Sequence, residues 1–141
     1  MRDLYNKLAA QSVIADATIA ADNTPATINL AGFDSAMLAI SVGVGGITFT
    51  TTNKIEFVLT HSNDDTTYTA VAQSDVQGVT VTGAGIVLSL TAIHAAQTVT
   101  RVGYIGNCQY LKLMADFSGT HGTGTPISAL LLQSAAKKRP V

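Results

Sequence analysis

Hydrophobic and polar positions alternate one by one through much of the chain. Ile55, Phe57 and Leu59 share one face of an extended segment, and Glu56, Val58 and Thr60 share the other. Ile86, Leu88 and Leu90 alternate with Val87, Ser89 and Thr91, and Leu111, Leu113, Ala115 and Phe117 oppose Tyr110, Lys112, Met114 and Asp116. A period of two is that of a β-strand covering a core on one side. Rich in Thr, Val and Ile and punctuated by Gly, Asn, Asp and Pro, the chain predicts strands over 18–21, 27–30, 36–42, 54–61, 68–72, 78–82, 86–91, 98–105, 110–117 and 127–134. No helical segment separates these strands, so the expected fold is all-β: an antiparallel β-sandwich, jelly-roll-like or a related barrel. No 20–50-residue repeat indicates a solenoid or propeller.

The two ends break the pattern. In residues 1–15, Asp3 can cap a short helical turn that puts Leu4 and Leu8 on one face. This reads as an N-terminal arm ahead of a sandwich over 16–134, with a C-terminal tail over 135–141. The last predicted strand, Ile127-Ser128-Ala129-Leu130-Leu131-Leu132-Gln133, carries leucine on both faces. Either it is buried on both sides, or its outward face, with Leu130 and Leu132, meets another chain. As an open edge it would invite aggregation, so a covering segment or partner is expected there.

Composition sharpens this picture. Of the 141 residues, 47% are hydrophobic and only 12% charged, about half the usual charged share. A free-standing monomer uses charge to stay soluble, so a surface this poor in charge suggests cover by partners. The net charge of −1 argues against nucleic-acid binding, which needs a basic face. Lys137, Lys138 and Arg139 form the sole basic cluster, readable as a solvated tail, an arm for an acidic protein surface, or a DNA contact. One cysteine, Cys108, excludes an internal disulfide and reads as a small buried hydrophobe. The N-terminus lacks a signal-peptide core, and no apolar run approaches a membrane span, so a soluble product with no membrane partner is expected.

The catalytic inventory is thin. His61-Ser62-Asn63-Asp64-Asp65 gathers an imidazole, a hydroxyl and two carboxylates, but neighbours on a strand end point to opposite faces, which misplaces His61 for Ser62. A hairpin turn, a calcium-assisted turn and a catalytic cluster are the three readings, with the hairpin turn favoured. His61, His94 and His121 are far apart and read as surface or loop residues; no zinc pattern and no phosphate-binding glycine motif is present. Gly43-Val44-Gly45-Gly46 and Gly83-Ala84-Gly85 read as hairpin turns. With no Trp, a sugar platform would fall to Tyr5, Tyr68, Tyr104 and Tyr110. No enzyme, metal or cofactor is expected.

A set of segments, in order, narrows the role: Met1-Arg2-Asp3-Leu4; Leu30-Ala31-Gly32-Phe33-Asp34-Ser35-Ala36; Ile55-Glu56-Phe57 on to His61-Ser62-Asn63-Asp64-Asp65-Thr66-Thr67-Tyr68-Thr69-Ala70-Val71; Arg101-Val102-Gly103-Tyr104-Ile105-Gly106; Tyr110-Leu111-Lys112; Gly124-Thr125-Pro126-Ile127; and the closing Lys138-Arg139-Pro140-Val141. Taken together the chain resembles a family of small β-rich virion proteins that tailed bacteriophages encode beside their capsid genes. The resemblance implies a virion structural protein of the capsid decoration or cement type, made in the host bacterial cytoplasm and assembled onto the head. Its implied partners are the major capsid protein and copies of itself, with a trimer as one arrangement. Head–tail joining, a tail-associated role and a carbohydrate- or receptor-binding module are the alternatives. The residues expected to meet partners are Leu4, Tyr5, Leu8, Leu130, Leu132, Lys137, Lys138 and Arg139.

Overall fold

A computed structural model describes residues 3–92 and 96–136. Among the described residues are ten strands: β1 (Ala9–Ile19), β2 (Ile28–Asn29), β3 (Phe33–Val42), β4 (Lys54–Ser62), β5 (Thr69–Ala70), β6 (Val76–Gln77), β7 (Ile86–Leu90), β8 (Thr98–Tyr104), β9 (Tyr110–Ser118) and β10 (Thr125–Ala136). A 3₁₀ turn, Gln73–Asp75, precedes β6. The strands form two sheets in which every pairing is antiparallel. The front sheet runs β1-β10-β3-β8-β6; the back sheet runs β2-β9-β4-β5, with β7 also paired to β4. Leaving out the two-residue β5 and β6, the orders are 1-10-3-8 and 2-9-4-7, and the chain crosses between sheets at most steps. This is the double Greek-key connectivity of a jelly roll, so the sandwich expected from the alternation is the fold.

The inward faces make one core. Ile55, Phe57 and Leu59 of β4 and Leu111, Leu113 and Ala115 of β9 face Leu38, Ile40 and Val42 of β3 and Ile127, Ala129 and Leu131 of β10, all essentially inaccessible to water. Register sets small against large: Phe57 lies opposite Ala115 across β4 and β9. The back sheet's outer edge beyond the short β2 is closed by side chains. Asn23 Oδ1 accepts from the Ala115 N–H at 2.7 Å, and Asp22 Oδ1 accepts from the Phe117 N–H at 2.7 Å. These bonds occupy backbone donors that an open edge would leave for another strand.

Several elements differ from the sequence expectation for identifiable reasons. The arm expected over 1–15 is a strand from Ala9 onward. Edge strand β1 shifts register between Ser12 and Ile14 and between Ile14 and Ala17, which erases its two-residue period. Ahead of it, Asp3 does cap one turn: its Oδ1 accepts from the Asn6 N–H, and the Leu8 N–H donates to the Leu4 carbonyl. The C-terminal boundary shifts too, because β10 runs to Ala136. The strand expected over 78–82 is replaced by the Gln73 side chain, whose amide donates to the Val79 carbonyl and accepts from the Val81 N–H. Gly43 to Gly46 belong to the long connection between β3 and β4 rather than to a tight hairpin. Cys108 lies half-buried rather than buried, in the connection between β8 and β9.

β10 is the sharpest correction. It is neither an edge nor buried on both sides; it lies inside the front sheet between β1 and β3. Leu131 points into the core at 0% exposure, while its neighbour Leu130 points outward at 47%. Leu131→Ala is therefore expected to cost about 2–5 kcal/mol of unfolding free energy and Leu130→Ala less than about 1 kcal/mol. Chemical denaturation of the two variants measures this, and equal costs would contradict the register.

Candidate interaction surface

The two sheets differ in what they show the solvent. The outer face of the back sheet carries Lys54, Glu56, Lys112 and Asp116 among Val58, Thr60 and Met114; Lys54 Nζ and Glu56 form an ion pair at 2.7 Å. Pairing register lays out the outer face of the front sheet in rows across the strands. One row is Ala10, Leu132, Met37 and Gly103; the next is Ser12, Leu130, Ala39 and Arg101; a third is Ser128, Ser41 and Val99. Alanine, serine, leucine, methionine and valine dominate these rows, and Arg101 is their sole charge. Val99 is 63% exposed and Leu130 nearly half. An exposed apolar sheet face of this kind is the candidate interaction surface.

Gly103 gives that face relief. Without a side chain there, a hollow opens between Met37, Gln77, Val99 and Arg101, with a volume of about 550 Å³. A methyl added at Gly103 would meet the Gln77 side chain at an ordinary 3.4 Å. The glycine is thus not demanded by backbone geometry, and its effect is to leave room on the surface.

A second feature lies at the end of the sandwich where β8 leads into β9. A groove of about 590 Å³ is bordered by the segments 30–36 and 103–109. On its wall, the buried Tyr104 hydroxyl lies 2.9 Å from His61 Nδ1 and accepts from the Cys108 N–H at 3.1 Å, tying the front sheet to the back sheet and to the connection between them. Burial pushes this hydroxyl up to about 12. Ile105 is exposed beside the groove.

The cluster His61 to Asp65 resolves into a hairpin turn. His61 turns to Tyr104, while the Ser62 hydroxyl donates to Asp64 at 2.7 Å, so the imidazole and the hydroxyl serve different partners. Asp64 also accepts from the Thr66 and Thr67 N–H groups, both at 2.9 Å. The Thr67 and Thr66 backbone bonds and the Ser62 hydroxyl hold its carboxyl down at about 2, against an ordinary 3.8. Asp65, in the left-handed region at φ 56°, accepts from the Tyr68 and Thr27 hydroxyls, which lower its carboxyl as well. Both carboxylates are occupied in shaping the turn, and no group of three or more potential ligands gathers for a metal among the described residues.

The residues expected to meet partners divide. Leu130 and Leu132 sit together on the front face. Leu4 and Tyr5 are strongly exposed on the capped turn before β1, and Leu8 is half-buried. Lys137, Lys138 and Arg139 lie outside the described residues, as does His94. His121, expected at the surface, is instead 4% exposed. Its ring packs edge-on to Phe117 with centroids 4.8 Å apart, and Nε2 donates to the Ser118 carbonyl at 2.7 Å. The sequence reading missed Arg101, Met37, Val99 and Gly103. The signal was present in the alternation of Val99, Arg101 and Gly103 with the inward Thr100, Val102 and Tyr104.

No protein-family model matches the chain, and no curated protein matches it. Among solved structures, the crystal structure of the SPBc2 prophage-derived protein YomS is similar at a TM-score of 0.44 and 11% identity, over 90% of this chain and 93% of that one. So remote a likeness carries no argument about role.

The turn yields a prediction with a definite sign. Because the Asp64 carboxyl is depressed in the fold, its contribution to the turn is complete above about pH 4 and is lost as pH falls through about 2. Carboxyl NMR titration should place Asp64 lowest among the aspartates, and Asp64→Asn should weaken protection of the Thr66 and Thr67 amides. At the other end, Tyr104→Phe should cost about 1–3 kcal/mol and remove the highest-pH step from the tyrosinate absorbance titration.

Proposed function

We propose that this protein is a virion structural protein of a tailed bacteriophage, a decoration protein that lies on the head shell and stabilises it by protein–protein contact. The observation that carries the reading is the front face: a rigid, nearly uncharged sheet surface on a chain that carries its charges elsewhere. The segments that resemble phage decoration proteins agree with it. So does the jelly roll, which serves in viral capsid and lectin domains, an analogy of fold that does not by itself assign a role. Shell proteins need shape-matched apolar contact rather than a reactive centre, and many copies on a symmetric shell turn weak contacts into stable attachment.

In this reading the front face lies on the major capsid protein, and the capped turn with Leu4 and Tyr5 reaches a neighbouring subunit. Each large side chain there contributes roughly 1.5–3 kcal/mol if fully buried. A sugar-binding module finds little support in Tyr104, which is buried, or in Tyr68, where the Lys112 ammonium sits 4.2 Å above the ring centre.

Added to head shells of the parent phage, the protein should raise their melting temperature and appear as jelly-roll density on the head in electron microscopy. Leu130→Asp should weaken binding by about 2–4 kcal/mol, roughly 30- to 1,000-fold in Kd, without lowering the protein's own melting temperature by more than a few degrees. Density at the tail or neck, or undiminished binding by Leu130→Asp, would refute this assignment.

A further inference from the structure

The charge on the front face restricts what can cover it. Arg101 projects outward at the β8 end of the row Ser12, Leu130, Ala39 and Arg101, beside the hollow over Gly103. It is exposed, and among the described residues its side chain makes no ion pair or hydrogen bond. Gln77, also exposed, borders the same hollow and offers a second donor. No carboxylate occupies a named position of the three rows; Asp16, exposed on the edge strand β1, lies in the register shift that faces Ser128, across the sheet from Arg101. A cation placed alone in an apolar face becomes costly once that face is covered, unless the covering surface supplies an anion.

We propose that the front face is built for a protein surface other than its own: a flat apolar patch bearing one carboxylate, seated over the Gly103 hollow between Arg101 and Gln77. Two copies meeting face to face about a two-fold axis would present identical patches. Each Arg101 would then face uncharged side chains or the other Arg101, except where the axis carries it over the β1 edge near Asp16. A copy offering its back sheet instead would bring the Lys54, Glu56, Lys112 and Asp116 charges into the contact, with desolvation costs far above those of an apolar counterface. Arg101 therefore acts twice. It pairs with the correct partner, and it keeps the exposed apolar face from closing on a second copy in the cell before assembly. Self-association between copies, where it occurs, uses other surfaces.

This inference rests on the front face being the docking surface, and two experiments separate it from the decoration role. The first uses the purified protein alone, in sedimentation velocity. Arg101→Met should gain an associated species, and adding Leu130→Asp to that variant should abolish it. Leu130→Asp alone should leave the wild-type assembly state unchanged. A wild-type oligomer that Leu130→Asp dissociates, or an Arg101→Met protein that associates no more than wild type, overturns the proposal. The second experiment uses head shells of the parent phage. Arg101→Glu should weaken binding by about a hundredfold, and Arg101→Lys by much less, since the charge is kept while the forked donor is lost. Equal binding by Arg101→Glu and wild type overturns the carboxylate partner. Shells that bind no wild-type protein would refute decoration, while the sedimentation result would still read the face. Circular dichroism melts of every variant establish that each is folded.

Discussion

The interior shared by the two sheets is the constraint from which the rest follows. Ile55, Phe57 and Leu59 leave water only if Leu38, Ile40, Ile127 and Leu131 cover them from the other sheet. Each sheet alone would expose a continuous apolar face, so neither is stable without the other. A jelly roll meets this demand by sending successive strands to alternate sheets, and most of its connections therefore turn around the ends of the sandwich. Those ends must be fixed by something other than strand pairing. Here polar side chains do it: Asp64 within its turn, Gln73 in place of a strand, Asp22 and Asn23 along β9, and Tyr104 between the sheets.

Scarcity of charge takes on meaning through its placement. Lysine, glutamate and aspartate occupy the outer face of the back sheet, where they keep that side wet. Aspartates in the loops accept hydrogen bonds from backbone and hydroxyl donors. The three rows of the front face are left with small and apolar residues and a single arginine, with Asp16 exposed on the edge strand β1. A chain with few charges does not have to expose such a face; placing most of the others on the back sheet and in the loops makes the asymmetry. Protein–protein contact is the chemistry such a surface performs best, because flat apolar area gains from being covered while an isolated cation selects what covers it.

Much of the architecture was legible because alternation is a local property. β3, β4, β7, β8 and β9 lie within a few residues of where the pattern of Ile, Leu and Val put them. The missed or misplaced elements were those whose hydrogen bonds come from elsewhere. β1 lost its period to two register shifts, and the segment after β6 traded a strand partner for a glutamine side chain. His121 reads as a loop histidine among Thr, Gly and Ser, yet Phe49 closes over it from a distant position and Phe117 from the end of β9 just before it. The outward rows of the front sheet were half legible: Leu130 and Leu132 stood out as surplus leucines, whereas Met37, Val99 and Arg101 looked like ordinary strand residues.

By itself, the sequence determined the class of fold, the alternation of side chains along regular strands such as β4 and β9, and the shortage of charge, since these depend on residue type and a period of two. Only the tertiary structure decided which strands are neighbours, and with that everything about the surface. Strand order placed β10 between β1 and β3 and β8 beyond β3, bringing Leu130, Ala39 and Arg101 into one row from positions far apart in the chain. Local preference cannot encode that row. It arises from antiparallel pairing, which fixes which residues become neighbours on the outer face once the inner face has been buried.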